Sequence, residues 1–123
     1  MENYLLLVLI LASGDSCEDD INPTKPEVDG EEGDTVLLSC RYTGSVNNLQ
    51  WYRQYTRSKP EFLILITKNG YALKPVPPRM SAHVHTGSVD LEIASVEVTD
   101  SALYYCALQP TVRENTDTLY QSL

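Results

Sequence analysis

The sequence predicts an all-β domain, a sandwich or barrel of short strands, and three observations carry that reading. Apolar and polar residues alternate with period two in run after run, Gly, Pro, Asn and Asp separate the runs, and no segment carries a long apolar stripe at helical spacing. Only residues 95–101 suit a brief helical turn. A chain of 123 residues makes one domain, and 42% hydrophobic with 21% charged residues is the usage of an ordinary folded protein rather than a disordered polyelectrolyte.

The first element, residues 4–12, is an apolar run far shorter than the roughly 20 residues of a membrane-crossing helix. Small residues follow at Ala12 and Gly14, so residues 1–14 are expected to be a secretory signal peptide, cleaved after Gly14 or within the next three residues. Its start, Met1-Glu2-Asn3, is unusual in having no Lys or Arg. Residues 15–34 then hold nine acids and one base, against seven acids and eight bases in residues 35–123. The acidic stretch lacks the alternating oxygen ligands and turning Gly of a calcium loop, and Pro23, Pro26, Gly30 and Gly33 punctuate it; it reads as a solvated connector.

Strand-like runs follow. In residues 34–40, Val36, Leu38 and Cys40 share one face, and in residues 49–52 Leu49 and Trp51 point inward. Residues 61–66 are a nearly continuous apolar run closed by Asn69-Gly70. Residues 80–84 and 89–93 alternate on either side of a turn at 86–88, and residues 102–106 end the regular pattern. Of the three cysteines, Cys17 sits at the leader boundary, whereas Cys40 and Cys106 lie in strand-like segments; in an oxidising compartment the latter two are expected to pair, with Trp51 packing on their sulfurs. Cys17 is either trimmed with the leader or left as a free thiol, and no cysteine spacing suggests zinc.

Cys40, Trp51 and the segment Asp100-Ser101-Ala102-Leu103-Tyr104-Tyr105-Cys106 resemble the Cys, Trp, D-x-A-x-Y-x-C framework of an immunoglobulin V-set domain. Gly33, Trp51-Tyr52-Arg53-Gln54, Pro60 before an apolar strand and Arg79 opening a later one extend the resemblance over about residues 22–109. Within that family the sequence is most similar to a T-cell receptor alpha (or delta) chain variable segment, on Trp51-Tyr52-Arg53-Gln54, on Phe62-Leu63-Ile64-Leu65-Ile66 and on the ending at Ala107-Leu108. The resemblance implies a V-type two-sheet Greek-key sandwich over residues 15–109. It also implies an ion pair between Arg79 and Asp100, and a Tyr104 hydroxyl bonded back to backbone. Residues 110–123 lack the Phe-Gly-x-Gly of a joining segment. The final strand is therefore expected to be missing or irregular: the tail is either a cryptic final strand or, the favoured reading, read-through of an unrearranged germline segment, which leaves the sheet edge beside Cys106 unpaired.

By the same resemblance, end loops would bind antigen: Ser45, Val46, Asn47 and Asn48 in the first, Thr67, Lys68, Asn69, Gly70 and Tyr71 in the second, Leu108 and Gln109 in the third. Alternation sends Tyr52, Gln54 and Tyr105 outward, and the resemblance makes them, with Pro60, the face that pairs with a beta-type variable domain. Arg53 points inward, its stem packing and its head reaching water. The implied role is recognition of peptide held by a major histocompatibility molecule, at the extracellular face of the plasma membrane, with membrane contact only through segments absent from this chain. An innate-type immune receptor or adhesion protein with a V-set domain is the alternative.

Other functional classes fare poorly. A net charge of −8 opposes binding to nucleic acid or an anionic membrane surface. No nucleophile elbow, phosphate-binding glycine loop or H-E-x-x-H motif is present, so neither an enzyme nor a cofactor is expected. His83 and His85 flank Val84 on the outward face of one strand and read as exposed strand histidines rather than metal ligands.

Overall fold

A computed structural model of the chain describes residues 4–11 and 20–111. Nine strands follow in order: β1 (Tyr4–Leu11), β2 (Asp20–Pro23), β3 (Glu27–Glu31), β4 (Val36–Thr43), β5 (Val46–Gln54), β6 (Glu61–Thr67), β7 (Met80–His85), β8 (Ser88–Ile93) and, after a 3-10 turn at Val98–Asp100, β9 (Leu103–Pro110). They build a five-stranded sheet in the order β3-β1-β9-β5-β6 and a four-stranded sheet in the order β2-β4-β8-β7.

Period-two alternation supplies the core between the layers. Val36, Leu38 and Cys40 of β4 and Val89, Leu91 and Ile93 of β8 are buried on one side; Leu49, Trp51, Ile66, Tyr104 and Cys106 are buried on the other. Cys40 and Cys106 are joined by a disulfide across the layers, and Trp51 is the register partner of Cys106. With a sequence separation of 66 between the two cysteines, the bond stabilises the fold by about 4 kcal/mol on the loop-length relation, by lowering the entropy of the unfolded chain. Trp51 is fully buried, and its Nε1 has no hydrogen-bond partner, so apolar contact alone holds the indole.

The register slips in two places, between Val46 and Asn48 of β5 against β9 and in β6 against β5; the second slip turns an aromatic ring outward. Trp51 pairs with Ile64 and Tyr52 with Phe62, which leaves Leu63 as the extra residue of a bulge. Leu63 and Ile64 are both buried, and Phe62 is turned out, 52% exposed.

At the end of the sandwich away from the β4–β5 loop, polar groups form a closed set. The Arg79 guanidinium donates two bonds to the Asp100 carboxylate, at 3.0 and 3.1 Å, and further bonds to the carbonyls of Ala94 and Ser95. Asp100 also accepts from the Glu97 backbone N–H, and its own carbonyl accepts the Tyr104 hydroxyl at 2.6 Å. Burial pushes the Asp100 pKa upward, but the Arg79 bonds and charge and the Glu97 N–H outweigh it, so the carboxyl is held below its ordinary value. Burial pushes the Tyr104 hydroxyl up to about 12.

One expectation is corrected here. The edge beside β9 is not bare: β1 lies between β3 and β9, antiparallel to β3 from Tyr4↔Glu31 to Val8↔Glu27 and parallel to β9 from Val8↔Leu103 to Leu11↔Cys106. An extended run rich in Leu, Val and Ile pairs with Glu27–Glu31 of β3 and with Leu103–Cys106 of β9, backbone that a bare edge would leave to solvent. The cleavage junction, Cys17 and the tail from Val112 lie outside the described residues.

Candidate functional site

The outward face of the five-stranded sheet gathers the side chains that the core does not use. Tyr52 on β5 faces Tyr105 across the β5–β9 ladder and Phe62 across the β5–β6 ladder, so three aromatic residues form a row over three strands. The Phe62 ring meets the Tyr52 ring edge to face, with centroids 5.7 Å apart. The Tyr105 hydroxyl donates to Gln54 Oε1 at 2.7 Å, and Gln54 Nε2 donates to the Ser58 carbonyl at 2.8 Å. Two groups on that amide are engaged; one N–H and one oxygen lone pair stay free to meet another amide. Pro60 is exposed in the β5–β6 loop beside this row.

A second polar chain runs along the same face toward the loop end. Tyr52 donates its hydroxyl to Gln50, Gln50 donates its amide to Asn48, and Asn48 donates to Gln109 on β9. Each link is 2.8 Å or shorter, and the residues are two apart on β5, as one face of a strand requires. Arg53 takes the opposite direction. Its guanidinium pairs with Glu61 at 2.9 Å and lies over the Tyr55 ring at 5.0 Å, leaving Nε buried without a partner.

The loop end differs from expectation. β5 begins at Val46, so the β4–β5 connection is Gly44-Ser45 rather than a longer loop, with Gly44 at φ 94°. Val46 and Asn48 are buried within β5, and Leu108 is buried within β9, so these three are withdrawn from the exposed set. The reason is cross-strand pairing. Val46 pairs with Pro110 and Asn48 with Gln109, which continues the ladder into what the polar composition marks as a loop. Ser45, Asn47 and Gln109 remain exposed, and the Ser45 carbonyl accepts the Thr111 N–H at 2.9 Å, tying the first connection to the start of the third.

Thr67 closes β6, while Lys68, Asn69 and Gly70 form its turn, fixed by the bonds of Gly70 N–H and Tyr71 N–H back to Thr67. Tyr71 stands 57% exposed on that rim. Between the β4–β5 connection, Lys68 and the β7–β8 turn lies an open depression of about 550 Å³, lined in part by Tyr42, Lys68 and His85.

The histidines lie on the other sheet. His83 Nε2 is 3.2 Å from Glu92 and His85 Nε2 is 2.9 Å from Asp90, which also accepts the Ser39 hydroxyl. Each imidazole thus faces a carboxylate and not its fellow, and no group of three metal ligands occurs among the described residues. Among those residues no helix is long and apolar enough to cross a membrane.

Phe62 is the residue that the strand patterns miss. Counted by strict alternation it belongs with Ile64 and Ile66 inside; only the bulge at Leu63 turns it out.

Comparison with known proteins gives the same architecture a family. The family model of the immunoglobulin V-set domain matches residues 23–121. The human T cell receptor alpha variable 18 is 34% identical over 112 residues, covering 85% of this chain and 91% of the relative. The human T cell receptor alpha variable 36/delta variable 7 is 32% identical, covering 85% and 93%. The T-cell receptor alpha chain V region CTL-F3 of Mus musculus is 32% identical, covering 85% and 76%.

Proposed function

Because the chain belongs to the immunoglobulin V-set family, as a T-cell receptor variable segment of the alpha or delta type, we propose that it is an antigen-recognition domain working in a heterodimer. It pairs with a beta-type variable domain through the outward face of the five-stranded sheet, using Tyr52, Gln54, Pro60 and Tyr105, and Phe62 joins them. The observation that carries this reading is the aromatic row beside a half-satisfied Gln54 amide. Rigid aromatic side chains with a polar partner at the centre of a flat sheet face are what a protein interface selects.

The paired domain presents Ser45, Asn47, Lys68, Asn69, Tyr71 and Gln109 at one end, where small polar residues and a tyrosine suit contact with peptide held by a major histocompatibility molecule. The route there is the secretory pathway, with residues 1–14 removed, and the place is the extracellular face of the plasma membrane. Residues 110–123 are germline read-through, to be replaced by a joining segment.

The test is co-expression with a beta-type variable domain. Replacing Tyr52 and Gln54 with Glu should abolish the heterodimer while leaving a folded monomer that keeps its Cys40–Cys106 bond. Unchanged heterodimer yield rules the face out.

A further inference from the structure

The polar chain along the outward face of β5 runs from the aromatic row to the loop rim, and it has a direction. Tyr52 donates its hydroxyl to Gln50 Oε1 at 2.6 Å, Gln50 Nε2 donates to Asn48 Oδ1 at 2.8 Å, and Asn48 Nδ2 donates to Gln109 Oε1 at 2.6 Å. Every link joins a donor to an oxygen, so the way one amide points dictates the next. Asn48, in the middle, is only 7% exposed, and a buried amide with either end unmet is costly. Across the ladder Gln50 faces Ala107, which offers its amide no side-chain partner, so the chain continues along β5.

The oxygen and nitrogen of a primary amide are nearly the same size, so a second complete arrangement exists. With all three amides turned over, Gln109 Nε2 donates to Asn48, Asn48 donates to Gln50, and Gln50 donates to the Tyr52 oxygen. The two arrangements contain the same number of bonds and differ at their ends. In the first, Gln109 turns its NH2 outward; in the second, it turns out a carbonyl oxygen. At the far end the phenol donates in the first and accepts in the second. A phenol oxygen shares its lone pairs with the ring and donates better than it accepts, which favours the first.

We propose that Tyr52, Gln50 and Asn48 form a two-state positioning relay whose direction, set by the Tyr52 hydroxyl, fixes the polarity that Gln109 offers at the entrance to the third loop. In the direction present here Gln109 Nε2, which has no hydrogen-bond partner among the described residues, offers N–H donors, and the matching ligand group is a carbonyl or carboxylate oxygen. Asn48 and Gln50 are positioning residues; Gln109 determines specificity. A partner group that accepts the Tyr52 hydrogen bond releases Gln50 Oε1 and turns the chain over. Both ends thus bias one two-state element, the physical condition for coupling between separated sites. Use of the rim and of the Tyr52 face rests on the function proposed above, whereas the relay is tested in the unpaired chain, so failure of pairing and failure of the relay are separate results.

Scalar couplings across hydrogen bonds, from donor nitrogen to acceptor carbonyl carbon, read the direction by NMR of the isotope-labelled full chain. The unsubstituted protein should couple Asn48 Nδ2 to Gln109 Cδ and Gln50 Nε2 to Asn48 Cγ; the reverse direction couples Gln109 Nε2 to Asn48 Cγ and Asn48 Nδ2 to Gln50 Cδ. Tyr52→Phe removes the directing hydroxyl and should cut the first pair about twofold while the reverse pair rises to match. Adding Gln109→Glu to that variant puts an acceptor-only group at the rim and should return the Gln50-to-Asn48 coupling to its original value. In molecules that keep the Cys40–Cys106 bond, reversed or missing couplings in the unsubstituted chain, no response to Tyr52→Phe, or no recovery with Gln109→Glu overturns the proposal. If Tyr52→Phe does not form that bond, Gln109→Ala at the exposed rim decides the matter. The Gln50-to-Asn48 coupling should persist there, because Tyr52 still directs it, and its fall by half or more refutes the relay.

Discussion

Replacing Tyr104 with Phe isolates one hydrogen bond in the centre of the sandwich and gives it a pH signature. The Tyr104 hydroxyl is fully buried and donates to the Asp100 carbonyl at 2.6 Å. Loss of the bond, together with an orphaned buried acceptor, should cost about 2 kcal/mol at pH 8. The same hydroxyl has its pKa raised from 10.0 to about 12 by burial. Below pH 10 the folded and unfolded states are both protonated and the bond's contribution is complete. Above it the unfolded chain ionises first, so stability falls by about 1.4 kcal/mol per pH unit until the folded group titrates near pH 12. The phenylalanine variant has no such group. Urea denaturation followed by fluorescence of Trp51, the single tryptophan, reads both proteins. The stability gap between them should shrink from about 2 kcal/mol at pH 8 to near zero by pH 12. A gap that stays constant across that range refutes the buried, carbonyl-bonded hydroxyl.

Three further outcomes are expected. Asp100→Asn should cost about 2 kcal/mol at neutral pH, less than a fully buried ion pair because Arg79 is partly exposed. Since the folded Asp100 pKa is depressed, its stabilisation is complete above the unfolded value near 4 and is lost as pH falls through the folded one, so the variant should lose the part of the wild-type acid slope below about pH 4. Asn48→Ala should cost about 1 to 2 kcal/mol in thermal or urea unfolding by orphaning the Gln109 and Gln50 amides, and a double-mutant cycle with Gln109→Ala should return a coupling of at least about 0.5 kcal/mol. Phe62→Asp should change monomer stability by no more than about 0.5 kcal/mol, because the ring is half exposed, yet weaken heterodimer assembly by about 2 kcal/mol, roughly 30-fold in dissociation constant by titration.

Much of the sandwich is legible in the sequence because buried strands leave a period-two trace. Val36, Leu38 and Cys40 read correctly as one inward face, as do Leu49 and Trp51. Two places resist. In residues 61–66 the apolar run is nearly continuous, and a run without alternation does not say which residue a bulge will evict; Phe62 is reassigned to the outer face by Leu63 alone. At the loop end, Asn47, Asn48 and the preceding Gly44 have turn composition, yet the β5–β9 ladder extends through Val46 and Asn48 because Gln109 satisfies the buried Asn48 amide. Tertiary hydrogen bonding there overrides local preference. The N-terminal run illustrates a third limit. Eight apolar residues fit a leader core and a sheet strand equally well by composition, and only the pairing of β1 with β3 and with β9, a non-local fact, marks the second use.

The outward face of the five-stranded sheet is the centre of the functional account, and hydrogen exchange of the chain with and without a beta-type variable domain tests it most directly. Addition of that domain should slow exchange in residues 52–54, 61–62 and 103–105, where the aromatic row and Gln54 lie, and leave β4, β7 and β8 unchanged. Protection appearing on the four-stranded sheet, with residues 52–54 and 103–105 unaltered in a complex that has formed, contradicts it.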